Sequence, residues 1–188
     1  MHKHTLPTIL PVICTLMACG DKSSNGDNID TPQESHVDAS TLENTECQDV
    51  NGTPVPGAAV YYAGTMVLNG STVSGVENVF FIANDAWIGT GNDDCEVTLA
   101  VSGSVTDPLG CAICDTAISI AATMVESQST CPAGLQQDYQ SYTVTYDIQR
   151  LDDGTANWFF HESGNQFASG SHTDTSLEYL SDAQCQWY

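Results

Sequence analysis

Sulfur chemistry has one address in this chain, the segment Cys111-Ala112-Ile113-Cys114. Two cysteines separated by two residues either cycle between dithiol and disulfide or form a short structural bridge. A redox-active pair gains thiolate character at a helix N-terminus that follows a buried strand. This pair instead follows Thr106-Asp107-Pro108-Leu109-Gly110, a turn-like stretch, and Asp107 and Asp115 put negative charge beside it. Negative charge disfavours a thiolate, so a structural bridge is the stronger reading. Cys95 and Cys131 would complete a four-cysteine zinc set with this pair, but the second CxxC of such sites is lacking. No metal site is assigned.

The other candidates are weaker. His161 and His172, with Glu162 and Asp174 near them, carry metal-ligand side chains at a generic spacing, and surface or strand-edge positions account for them better. Carboxylates are so abundant that no single pair points to glycoside hydrolysis. The sequence contains no GxSxG, HExxH, P-loop or GxGxxG segment. No catalytic residue and no cofactor is therefore assigned. Three adjacent aromatic pairs remain: Tyr61-Tyr62, Phe80-Phe81 and Trp187-Tyr188. On a strand, neighbours point to opposite faces, so one ring of each pair lies outside the domain core. Such rings suit a sugar or protein ligand if exposed, and a second apolar layer if covered.

Most of these residues sit on segments with two-residue alternation. Val97, Leu99, Val101 and Val105 share one face of Glu96–Val105, and Tyr142, Val144, Tyr146 and Ile148 share one face of the segment that begins at Ser141. Arg150-Leu151-Asp152-Asp153-Gly154 supplies a turn, and Asn157–His161 returns as its partner. Ala59–Leu68, Thr72–Ile82, Gln166–Ser171 and Leu177–Leu180 complete the set. Asp115–Val125 fits both strand and helix periods, and its Thr and Ile content favours a strand. About eight short strands, each with one apolar face, predict an all-β antiparallel sandwich or barrel.

Export is written at the N-terminus. Lys3 precedes an apolar run from Leu6 to Ala18, too short to span a bilayer as a helix and suited to a secretory signal. Leu16-Met17-Ala18-Cys19 resembles the lipobox of bacterial lipoproteins, and Leu16 suits ordinary signal peptidase poorly. The resemblance covers this segment alone. It implies removal of residues 1–18 and acylation of Cys19, hence anchoring to a membrane of the bacterial cell envelope. Gly20 follows the cysteine, with Asp21 behind it, which favours the outer membrane.

Residues 19–46 read as a lipidated acidic linker and residues 47–188 as a single domain. The linker has too few apolar side chains to contribute to a core, and as a coil it reaches about 28 Å. Asp21, Ser23, Asn25 and Gly26 imitate the start of a calcium loop, but Pro32 occupies the position of the required bidentate Glu.

With Cys14 removed and Cys19 lipidated, Cys47, Cys95, Cys111, Cys114, Cys131 and Cys185 are left, an even set that suits three disulfides in an exported domain. A hairpin of Glu96–Val105 with Cys114–Val125, turning near Leu109-Gly110, places Cys114 opposite Val105 and Cys95 opposite Met124. About ten strand residues, roughly 33 Å, then separate Cys95 from the turn, so it bridges neither Cys111 nor Cys114. Cys95 is left to Cys131, Cys111 to Cys114, and Cys47 to Cys185.

Three Lys and Arg against 24 Asp and Glu give a net charge of −21. Binding nucleic acid by tracking phosphates is excluded, as is electrostatic docking on anionic lipid. The reading is a lipid-anchored, exported, non-enzymatic binding or envelope module for a protein or carbohydrate ligand. A secreted hydrolase, or a thiol–disulfide oxidoreductase using Cys111 and Cys114, is the alternative.

Overall fold

Each segment expected from alternation is a strand in the computed structural model, which describes residues 37, 41–42, 47, 51–53, 55–88 and 93–187. The strands are β1 (Gly57–Asn69), β2 (Thr72–Ala83), β3 (Cys95–Thr106), β4 (Thr116–Met124), β5 (Ser141–Arg150), β6 (Thr155–Phe160), β7 (Gln166–His172) and β8 (Ser176–Ser181). A further strand, β9 (Gln184–Trp187), had no signal of its own. The lipobox and nearly all of the linker lie outside the described residues. No helix among the described residues is long and apolar enough to cross a membrane.

From β1 to β8 each strand pairs antiparallel with the next in sequence, and β8 pairs with β1, so eight strands close into an up-and-down barrel. β1 is long enough to serve two strands on one edge. Ala63–Val67 face β8, and Gly57–Val60 face β9, which continues the edge below it. Closure removes the unpaired sheet edges that an open sheet of this size would expose.

Period two then separates two apolar layers. Inward residues, among them Met66, Phe81, Leu99, Ile118, Ile148, Trp158 and Leu177, form the main core. Between β4 and β5 the chain crosses one end through a short helix at Ala133–Gln136. It buries Leu135 and Tyr139 there, with Tyr139 edge-on to Phe81 at 5.6 Å between ring centroids. The second layer lies outside the wall: Ala59, Tyr61, Ala63, Phe80 and Ile82, with Val37, Leu42, Leu180 and Ala183 packed on them. Val37 and Leu42 thus correct the expectation that the linker adds nothing to a core. With Leu180 and Ala183 they cover the outward layer that holds the rings of Tyr61 and Phe80.

The cysteines pair as Cys47–Cys185, Cys95–Cys131 and Cys111–Cys114, with Cα separations of 5.4, 4.8 and 5.3 Å. Loop-closure entropy credits them very unequally. Sequence separations of 138, 36 and 3 correspond to about 5, about 4 and about 2 kcal/mol.

The β3–β4 register differs from the expected one. Leu99 faces Met124 and Val105 faces Ile118, so Cys114 does not face Val105 and Cys95 does not face Met124. The cause is the connection: residues 107–115 form a long loop in place of a tight turn at Leu109-Gly110. Cys95 still adjoins Cys131, because Thr130 and Cys131 donate their backbone N–H groups to the Glu96 carbonyl.

Candidate functional site

Two clusters carry chemistry, one inside the wall and one outside. Inside, Glu77 stands in phase with Val73, Val79 and Phe81 and is fully buried. The hydroxyl of Tyr179 donates to its Oε2, and Tyr146 bonds to both. Burial pushes the Glu77 carboxyl up to about 7, against the opposing hydrogen bonds from Tyr179 and Tyr146. The same burial, and the neighbouring carboxylate, push both tyrosines well above their ordinary range. Glu77 Oε1 and Trp158 Nε1 have no hydrogen-bond partner among the described residues.

The rings around Glu77 pack on one another. Trp158 and Tyr179 are 4.5 Å apart between centroids, Tyr146 and Phe167 4.9 Å, and Phe160 and Phe167 4.3 Å. An eight-stranded barrel has an interior that side chains just fill, and these rings fill this one. The cluster is therefore a polar knot within a packed core.

Outside, loop 107–115 folds down over the outer face of β5 and β6. Asp147 points outward from β5, yet is fully buried beneath the loop. Its Oδ2 accepts the Gly110 N–H at 2.8 Å, and its Oδ1 bonds the His161 Nδ1 at 2.8 Å. Gly110 is required by contact: a Cβ there would sit 2.1 Å from the His161 carbonyl oxygen. Beyond the disulfide, Asp115 donates its N–H to the Ile148 carbonyl at 3.1 Å. Its carboxylate takes the Arg150 Nε at 3.0 Å and the Arg150 N–H at 3.2 Å.

The disulfide and its flanks are held against solvent. Cys111 and Cys114 are half-buried, while Leu109 and Ile113 are 83% and 62% exposed, the most exposed large apolar side chains among the described residues. A rigid loop is spending two apolar side chains on water, and such patches mark contact surfaces.

No family model, no curated protein and no solved structure matches the chain. What the residues themselves do must carry the assignment.

The metal-ligand candidates do not converge. His161 is engaged by Asp147, and His172 Nε2 meets the Leu151 carbonyl at 2.9 Å. Cys95, Cys111, Cys114 and Cys131 are divided between two disulfides instead of sharing one site. The described residues contain no group of three or more His, Cys, Asp or Glu placed to hold an ion. Tyr62 and Phe81 face the core, while Tyr61 and Phe80 are covered from outside, so these two pairs offer no open aromatic platform. Tyr188 lies outside the described residues.

Asp147 and Glu77 were not singled out from the sequence. Glu77 carried a signal, a carboxylate in phase with an apolar strand face. Asp147 carried none, because what buries it is a loop 37 residues earlier in the chain.

Proposed function

We propose that this protein is a lipid-anchored, exported binding module of the bacterial cell envelope, and that loop 107–115 is the surface it presents to a protein partner. The exposure of Leu109 and Ile113 on a loop fixed at both ends carries the reading. A fixed loop loses little conformational freedom on binding, so apolar contact converts efficiently into affinity. The interior is filled by its own rings, which leaves contact to the outer surface. The lipobox segment supports the anchor, and surplus negative charge favours a partner with basic residues around an apolar patch.

Photo-crosslinking in intact cells tests the surface. A photoreactive amino acid at position 109 or 113 is expected to give discrete protein adducts, and one at the exposed wall position Ser74 is not. Equal labelling from all three positions, or none from 109 and 113, overturns the assignment of the surface. The anchor is tested separately by metabolic labelling with a fatty acid. The wild-type chain is expected to incorporate label and a Cys19→Ala variant to lose it; label retained in the variant overturns acylation at Cys19.

A further inference from the structure

We infer that Cys111–Cys114 is an exchangeable disulfide that accepts electrons from the dithiol of an exported polypeptide docked on Leu109 and Ile113. The inference rests on the binding surface proposed above and names the chemistry of its partner.

Three observations converge on this bond. First, the loop keeps its place without it. Gly110 is tied to Asp147 just before Cys111, and Asp115 to Ile148 and Arg150 just after Cys114. Reduction therefore frees only the short segment between the two sulfurs. The bond closes the shortest loop of the three, so it contributes least to the fold through chain entropy. Second, neither of its cysteines is buried, whereas each of the other bonds has one buried partner, Cys47 joined to the exposed Cys185 and Cys131 joined to the half-buried Cys95. An attacking thiolate approaches along the S–S axis from one end and the displaced sulfur is released at the other, and of the three bonds only this one has neither end buried. Third, the surroundings admit a thiolate on a polypeptide. Leu109 and Ile113 offer apolar contact on either side, and the two carboxylates that anchor the loop are already engaged, Asp115 by Arg150 and Asp147 by His161 and Gly110. Of the two acids whose charge counts against a thiolate here, Asp115 is paired with Arg150, and Asp107 stands exposed to solvent, where its charge is screened.

The step balances without a further reactant. A substrate thiolate attacks one sulfur of the pair; the Cys111–Cys114 bond breaks and a mixed disulfide forms. The electron pair leaves on the other cysteine sulfur, which takes a proton. The second substrate thiolate then attacks the substrate sulfur of the mixed disulfide, and the remaining cysteine leaves and is protonated. Two electrons and two protons pass from the substrate dithiol to Cys111 and Cys114, and the substrate carries the new disulfide.

The full mature chain in detergent is mixed with a reduced synthetic peptide bearing two cysteines among apolar residues. Free thiols are then alkylated and mapped by mass spectrometry, and circular dichroism follows the barrel. Expected are one peptide disulfide per chain, alkylation confined to Cys111 and Cys114, and an unchanged spectrum. With the peptide in its disulfide form, a Cys111→Ser or Cys114→Ser variant is expected to accumulate a mixed disulfide through the remaining cysteine. A Leu109→Asp, Ile113→Asp double variant is expected to exchange about tenfold more slowly with the peptide and at an unchanged rate with glutathione. A peptide that stays reduced overturns the inference, as does alkylation spread over all six cysteines with loss of the barrel. Adducts from positions 109 and 113 with an inert disulfide would sink the exchange and leave the binding surface standing. Exchange that proceeds while those positions yield no adducts would sink the surface instead.

Discussion

Gly64→Ala is expected to cost the barrel about 4 kcal/mol, more than an ordinary surface-to-core change of one methyl group. Gly64 faces Tyr179 on β8 and Glu77 on β2. Two strand spacings, roughly 10 Å, separate the backbones of Tyr179 and Glu77, so the tyrosine ring must lie across residue 64 to deliver its hydroxyl to the carboxyl. An added Cβ would meet Tyr179 Cε1 at 2.2 Å, and Cδ1 and Cζ at 2.9 Å. The ring has nowhere to go, because Trp158 stands 4.5 Å away on centroids and Tyr146 and Phe167 within 6 Å.

Alanine therefore forces a shift of packed rings and breaks a buried hydrogen bond at once, each worth about 1–3 kcal/mol. Chemical denaturation measures the loss, with Gly134→Ala as control, since a Cβ at that position meets nothing within 4 Å. In a Tyr179→Ala background the path is empty, and Gly64→Ala is expected to become nearly neutral. A cost that is the same in both backgrounds would show that the ring does not cross residue 64.

How much of this was legible in the sequence depends on range. Strand positions follow from local alternation, and even Asp115–Val125, where helix and strand periods overlap, resolved as β4. Alternation says which side of a strand is apolar but not what the apolar sides enclose, so barrel and sandwich stayed open until β8 was found against β1. The β3–β4 register slipped for a related reason. A turn can be placed from Pro108 and Gly110, but Gly110 serves here to approach the His161 carbonyl and not to reverse the chain. Gly64 and Glu77 were readable in principle, each breaking the apolar phase of its strand where close approach or a polar contact demands it. Asp147 was not, since its burial and both its partners come from segments remote in sequence. Tyr61-Tyr62 and Phe80-Phe81 divide between two faces as strand geometry requires, yet the outward rings are covered in part by Val37 and Leu42, whose two apolar side chains are too few to register as a core segment.

Folding stability is expected to fall as pH rises through neutrality, and Glu77 is the reason. Its pKa in the unfolded chain is the ordinary 4.5 and in the barrel about 7. Between those values the native state holds a proton that the unfolded state has released, so raising pH favours unfolding. The stabilisation is complete below pH 4.5, is lost progressively as pH rises through about 7, and stays lost above it. A shift of this size corresponds to roughly 3 kcal/mol.

Among the described residues no Lys or Arg side chain offsets the Glu77 charge. The described residues contain one such side chain, Arg150, and it is paired with Asp115 outside the barrel. Other carboxylates add their own pH dependence, so the measurement is a difference: unfolding free energy from pH 4 to 9 for wild type minus that for Glu77→Gln. Glutamine still accepts from the Tyr179 hydroxyl but does not titrate. The difference is expected to favour wild type least at high pH and to change mainly between pH 5 and 7.5, with a slope of at most ~1.4 kcal/mol per pH unit, the value for one proton. A Tyr179→Phe variant loses the donor that opposes the burial effect, so its transition should move to higher pH. A flat difference profile would mean that Glu77 is hydrated in solution, and with it that the interior is not the packed ring cluster described above.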